Sequence, residues 1–276
     1  MAGLSTLSER FSHFFIDQFG VLHDGSRPYP GAVEALKRLK ATGASILLLS
    51  NSGRPAHDNV LRLERLGFPQ DCYDAFVTSG DLALDLVARG ALPVTLDRGT
   101  RCLTISGVGE RSLATALGFE DAADGETADV VIIAGSRGDI YPIETYRDLL
   151  RPAAARGAPA LCTNPDKIML TPGGPAFGAG RIAELYKELG GAVTYIGKPY
   201  PDMYARALGL SGCSDPSEIA CIGDSVEHDI VGAKRFGAFA VLVRTGLNEG
   251  NSDGALEEKY QRFGVRPDMV LPAFRW

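Results

Sequence analysis

The stretch Phe14-Phe15-Ile16-Asp17-Gln18-Phe19-Gly20-Val21-Leu22 decides how the chain is read. A run of bulky apolar residues stops at a carboxylate, and a glycine follows three positions later. Such a run predicts a buried parallel strand, covered on both faces, that delivers one acid to its C-terminal edge before the chain turns away. In open α/β sheets ligands bind at that edge. Asp17 is therefore a candidate nucleophile or metal ligand, and later strands should bring partners to the same edge.

Working outward, residues 31–40 carry Val33, Leu36 and Leu39 at helical spacing, which predicts an amphipathic helix closed by Gly43. Residues 45–50 read as a second buried strand ending in the polar pair Ser50-Asn51, and Gly53 and Pro55 open a helix to about residue 66. Strand, helix and strand in such close succession make a βαβ unit, parallel and right-handed. A second α/β unit follows, with strands expected near 103–105, 130–134 and 160–162 and helices near 81–89 and 144–155. Pro172-Gly173-Gly174-Pro175 reads as a linker leading out of it. A helix over 181–189 then leads to Gly197-Lys198-Pro199, a helix near 203–208 and a strand over 218–223 that ends in Asp224-Ser225. A helix over 230–236 and a strand over 240–244 complete the expected elements. The reading is an α/β fold: a Rossmann-like doubly wound parallel sheet core (1–78 and 179–276) interrupted by an inserted α/β cap domain (79–178).

At 276 residues the chain is long enough for two domains. A formal net charge of −6 provides no basic field, so nucleic acid is not an expected partner. No apolar run approaches a membrane span, and residues 1–10 lack the apolar core of a signal peptide, so no membrane association is expected. The five cysteines are dispersed, with no CxxC pair. That suits a reducing cytoplasm and offers neither a disulfide framework nor a thiolate zinc site.

Four strand ends present polar residues: Asp17, Ser50-Asn51, Lys198 and Asp224, with Asp229 one helical turn further on. Each alone reads as a solvated loop residue. Together, the order Asp-x-x-Gly-Val, apolar-Ser-Asn, Gly-Lys-Pro and Gly-Asp-Ser-x₄-Asp resembles the four signature motifs of the haloacid dehalogenase (HAD) superfamily. The insertion between the Ser-Asn and Lys motifs is similar to that of class IIA members, the p-nitrophenyl phosphatases and predicted sugar phosphatases. The resemblance implies a Mg²⁺-dependent phosphohydrolase that acts on a small phosphorylated, sugar-phosphate-like metabolite through an aspartyl-phosphate on Asp17. It also implies phosphate binding by Ser50, Asn51 and Lys198. The implied metal ligands are Asp17, the backbone carbonyl of Phe19, Asp224 and Asp229. Asn164 and Asp166, in Thr163-Asn164-Pro165-Asp166, resemble a family phrase at the cap boundary and are candidate substrate contacts. Charge balance agrees independently: three carboxylates would not stay ionised in one cleft without cations, and one hard divalent ion plus Lys198 balances them.

The match breaks at one place. Phosphatases of this family normally carry a second aspartate two residues after the nucleophile, as general acid and base, and here that residue is Phe19. Slow turnover on alkyl phosphates, or a preference for leaving groups that need no proton, is the expectation. His23 and Asp24 are alternative proton donors, set against a plain turn residue and a solvated acid. Phe19 also resembles the aromatic residue of metal-independent haloalkanoic acid dehalogenases, in which Asp17 would displace halide from carbon. A degenerate hydrolase kept to bind phosphorylated metabolites is a further alternative. Among weaker signals, Gly107-Val108-Gly109 is half a dinucleotide fingerprint, with Ser112 where a third glycine would stand, and reads as a tight turn. Gly178-Ala179-Gly180 reads as the return from cap to core, and Arg137, Asp139 and Tyr141 as loop residues or substrate contacts. Trp276 packs back on the core or forms a homodimer contact; the sequence leaves both open.

Overall fold

The structure, a computed structural model, describes residues 3–107, 109 and 111–276; Val108 of the glycine turn lies outside them. Among the described residues the strands run, in chain order, β1 (His13–Asp17), β2 (Ser45–Ser50), β3 (Ala75–Thr78), β4 (Arg101–Ile105), β5 (Glu120–Asp121), β6 (Val130–Ile133) and β7 (Ala160–Cys162). They continue as β8 (Ile168–Thr171), β9 (Gly174–Phe177), β10 (Val193–Tyr195), β11 (Ile219–Gly223), β12 (Phe239–Val243) and β13 (Met269–Leu271). Two compact units result: residues 1–50, 57–77 and 198–276 form the first, and residues 51–56 and 78–197 the second.

The first unit is built on a six-stranded sheet of order β13-β12-β11-β1-β2-β3. From β13 to β2 every pairing is parallel. β1 is central, which explains its unbroken apolar run. Phe14 and Ile16 pack on one face with Leu36, Leu39, Ile46 and Leu48. Phe15, pointing the other way, stacks at 6.1 Å on Phe236, which in turn stacks on Tyr204 at 5.2 Å. Both faces of the strand are covered, so Phe14, Phe15 and Ile16 are all apolar. The register sets Ile16 opposite both Leu48 and Ile222. Asp17, Ser50 and Asp224 therefore leave the sheet at one edge.

The second unit holds a five-stranded parallel sheet of order β10-β7-β6-β4-β5. Its core joins Val131, Ile133 and Leu150 to Ile182, Leu185 and Tyr186 of the helix Ala179–Glu188. Pro172-Gly173 is not a linker. β8 and β9 pair antiparallel with Thr171 opposite Gly174, so these two residues are the turn of a hairpin. The turn chemistry was legible, but the hairpin was not, because its strands are short and half exposed. Gly178 and Gly180 likewise do not return the chain to the first unit. They flank the start of the helix Ala179–Glu188, and a Cβ on Gly180 would collide with the Pro165 carbonyl. The chain stays in the second unit to Gly197 because β10 pairs with β7. The helix Asp253–Phe263 and the edge strand β13, which the sequence reading did not reach, finish the first unit. Among the described residues no helix is long and apolar enough to cross a membrane.

The turn after β1 is tight. Leu22 N–H donates to the Gln18 carbonyl at 2.8 Å and Gly20 N–H to the His23 carbonyl at 2.9 Å. His23 is fully buried; its Nδ1 accepts from Gly25 N–H at 2.9 Å, and its ring meets Phe19 edge-on at 5.6 Å. Burial pushes the His23 pKa down to about 4, the Arg62 charge adding to the effect and Asp24 opposing it. A neutral, enclosed imidazole is an anchor of the turn, not a proton donor. For Asp24, the slight burial works upward. The N–H groups of Ser26 and Arg27, with both side chains, prevail and hold this carboxyl well below the usual range.

An unfolded histidine takes up a proton below pH 6.5, whereas His23 stays neutral in the fold down to about 4. Its contribution to stability is therefore present above pH 6.5 and is lost as the pH falls toward 4, by at most roughly 3 kcal/mol. Denaturant midpoints followed from pH 7 to pH 4 should fall more steeply for the parent than for His23→Asn. Parallel profiles would refute the assignment.

Candidate active site

Three carboxylates and one ammonium meet at the C-terminal edge of the first sheet. One oxygen from each of Asp17, Asp224 and Asp229 lies within 4.8 Å of the others. Lys198 Nζ donates to Asp17 Oδ1 at 2.6 Å and to Asp229 Oδ1 at 2.7 Å. All four side chains are buried. Asp17 arrives on the tip of β1 and Asp224 just past β11. Asp229 sits on the π-helical turn Val226–Ile230, an irregularity frequent at functional sites. Lys198 opens the last section of the first unit, just before the helix Pro201–Ser211.

Backbone groups hold the acids in place. Asp229 Oδ2 accepts from Ser225 N–H at 3.0 Å, and Asp224 Oδ2 accepts from Leu247 N–H at 2.7 Å. Thr245 Oγ1 donates to the Gly20 carbonyl at 2.6 Å, and Asn248 Nδ2 donates to the Asp224 and Val243 carbonyls. Gly20 and Gly246 both have positive φ, at 84° and 62°, and a Cβ on either would collide with Asp224 Oδ2. The two glycines thus form a cradle around that carboxylate. Burial pushes the Asp224 carboxyl well above its ordinary range, and the charges of Asp17 and Asp229 push it further. Three carboxylates against one ammonium leave a formal charge of −2, with oxygen donors only. That donor set and that deficit fit a hard divalent cation.

Ser50, also buried, stands one residue beyond the Asp17–Leu49 pairing. Its Oγ accepts from Gln18 Nε2 at 2.7 Å, and the same amide donates to Asn59 Oδ1 at 3.1 Å. Neither Gln18 nor Asn59 was singled out from the sequence. A glutamine after a strand end and an asparagine in a helix both read as surface residues, yet here they are 3% and 0% exposed. Thr245 and Asn248 were missed as well, although Thr245-Gly246 follows a strand tip at the same edge as Asp17. The half-buried Phe19 packs against His23 and Gly25. Asn51, Asn164 and Asp166 belong to the second unit, where Asn51 Nδ2 donates to Asp166 Oδ1 at 2.8 Å and Asp166 N–H to Asn164 Oδ1 at 3.1 Å. Also in that unit, the Arg137 guanidinium lies 5.3 Å from the ring centre of Tyr141.

Comparison with known proteins places the chain in a family. Residues 14–120 match the haloacid dehalogenase-like hydrolase family, and residues 195–276 a HAD-hydrolase-like family. A crystal structure of a haloacid dehalogenase-like hydrolase from Brucella suis 1330 superposes with a TM-score of 0.84 at 32% identity, covering 99% of each chain. The sugar-phosphatase AraL of Bacillus subtilis is 29% identical over 94% of this chain and 89% of its own. A p-nitrophenyl phosphatase from Archaeoglobus fulgidus superposes with a TM-score of 0.72 at 25% identity, covering 96% of this chain and 97% of its own. With its acids, serine and lysine in motif order and such relatives along nearly its whole length, the chain belongs to the haloacid dehalogenase-like hydrolases, in the company of class IIA members.

Proposed function

We propose that this protein is a Mg²⁺-dependent phosphatase that cleaves a small phosphorylated metabolite, of the sugar-phosphate kind, through a covalent aspartyl-phosphate on Asp17. The observation that carries the reading is the Lys198 ammonium held between Asp17 and Asp229 with Asp224 alongside. The relatives named as a sugar phosphatase and a p-nitrophenyl phosphatase support the substrate class. In this reading Asp17, the Phe19 backbone carbonyl, Asp224 and Asp229 hold the ion, which supplies positive charge to offset that of the acids and the phosphate. Lys198, the Ser50 hydroxyl and N–H groups near Asn51 bind the phosphate oxygens.

An Asp17 oxygen attacks phosphorus, the bond from phosphorus to the leaving oxygen breaks, and the leaving group departs with the electron pair. Water then cleaves the acyl phosphate, regenerating the Asp17 carboxylate and releasing inorganic phosphate. The Lys198 ammonium, 2.6 Å from Asp17 Oδ1, offsets negative charge beside the attacking oxygen. What this chain lacks is the carboxyl that would hand a proton to the leaving oxygen. Phe19 occupies that position, His23 is neutral and enclosed, and Asp24 is an anion tied into its own turn. Sugar phosphates, as alkyl esters, are therefore turned over slowly, and acyl phosphates and activated aryl esters, whose leaving groups need no proton, more readily. Asn164 and Asp166 remain candidate substrate contacts. A metal-independent carbon–halogen hydrolysis fits the aromatic Phe19 but has no use for three buried carboxylates around one lysine. The five unpaired thiols fit a reducing, cytoplasmic setting.

Asp17→Asn should reduce hydrolysis of p-nitrophenyl phosphate to below about a thousandth of the parent rate. A chelator should abolish the parent activity and added Mg²⁺ restore it; full activity in the presence of chelator would sink the metal-dependent reading. Phe19→Asp should raise kcat/KM on an alkyl phosphate such as glycerol phosphate by roughly a hundredfold while barely changing the p-nitrophenyl ester. An unchanged alkyl-to-aryl ratio would show that proton delivery is not what limits this enzyme.

A further inference from the structure

Gln18 lies between the nucleophile and Phe19, and its buried amide is oriented from both ends. Its Nε2 faces two acceptors, Ser50 Oγ at 2.7 Å and Asn59 Oδ1 at 3.1 Å. Its Oε1 faces His23 Nε2 at 3.4 Å. His23 Nδ1 accepts from Gly25 N–H, so the neutral ring carries its proton on Nε2 and turns it toward the Gln18 oxygen. The relay runs in one direction: Gly25 N–H to His23, His23 to Gln18, Gln18 to Ser50 and Asn59. His23, Gln18 and Asn59 are each at most 3% exposed, so no bulk water competes for these bonds.

A serine hydroxyl has one proton and two acceptor sites. When Ser50 Oγ accepts from Gln18, its own proton is turned away from Gln18. We propose that Gln18, held by Asn59 and His23, is a positioning residue that presents Ser50 to the substrate as a hydrogen-bond donor. This rests on the reading of Ser50 as a phosphate ligand. The chemistry is specific. A phosphate oxygen only accepts, so a serine free to rotate spends part of its time with a lone pair facing the anion, whereas a serine fixed from behind does not. The bond also joins β1 to β2 at the edge of the sheet, tying the position of the phosphate ligand to that of the nucleophile.

The test is a double-mutant cycle on p-nitrophenyl phosphate hydrolysis, with inhibition by inorganic phosphate as a second readout. Gln18→Met removes the donor while keeping the length of the side chain. It should lower kcat/KM and weaken phosphate inhibition by about five- to tenfold, as loss of one hydrogen bond does. Gln18→Glu keeps the oxygen that faces His23 but turns the donor into an acceptor, so Ser50 donates into the new carboxylate and the loss is larger. In a Ser50→Ala background the Gln18→Met loss should vanish, and the Gln18→Glu loss should shrink to whatever the added charge alone causes. A merely structural role would give the same fold-loss in both backgrounds, together with a lowered melting temperature, and would overturn the proposal. Should Gln18→Met fail to fold, the Gln18→Glu comparison decides by the same criterion. Full activity of Ser50→Ala itself would refute the phosphate-ligand reading, a result distinguishable from failure of the positioning role.

Discussion

One ammonium between two buried carboxylates, with a third carboxylate at their side, is the constraint around which the first unit is arranged. Charges removed from water are stable only when the surroundings supply what water supplied. Here the surroundings are assembled from distant parts of the chain: Leu247 N–H on Asp224, Ser225 N–H on Asp229, and Lys198 across Asp17 and Asp229. The compensation is incomplete. Burial and two neighbouring charges push the Asp224 carboxyl upward, and a cation held among the three acids would offset that. Binding a divalent ion there would strengthen the fold as well as equip the site, since an ion that binds only the folded state stabilises it.

The same constraint explains where irregular backbone appears. Gly20 and Gly246 carry positive φ because the chain must pass so close to Asp224 that a Cβ would overlap its oxygen. The π-helical turn at Val226–Ile230 sets Asp229 back toward Lys198 while Ser225 N–H closes on its other oxygen. Thr245, bonded to the Gly20 carbonyl, ties this third segment to the turn after Asp17. Gly20, Gly246 and the π-helical turn each border one of the buried acids.

What was legible in the sequence follows from the same physics. Phe14-Phe15-Ile16 could be read as a central parallel strand because both of its faces are covered, and the polar tips of Asp17, Ser50 and Asp224 stood out against apolar runs. Charge balance then asked for Lys198. What could not be read were polar residues whose meaning comes from tertiary register. Gln18 and Asn59 are indistinguishable from surface residues until β1 lies beside β2 and the helix Ala56–Arg65 covers them. Pro172-Gly173 announced a turn, but whether a turn links domains or closes a hairpin depends on what flanks it, and β8 and β9 are too short and too exposed to declare themselves. The chain's late departure from the second unit depends on β10 pairing with β7, a contact between residues 193–195 and 160–162 that no local pattern encodes.

The departure at Phe19 is best understood as a property of the whole turn. Residue 19, two positions after Asp17, is half-buried and lies against buried neighbours. The Phe19 ring lies against Gly25, whose backbone at φ 99° leaves room for it, and against the edge of a buried, neutral His23. His23 in turn faces Gln18, so an apolar ring, a neutral imidazole and an amide close the turn together. Through Gln18 the turn is thus coupled to Ser50. Phe19, His23, Gln18 and Ser50 thus form one continuous arrangement at the end of β1, from the aromatic ring through the imidazole and the amide to the hydroxyl.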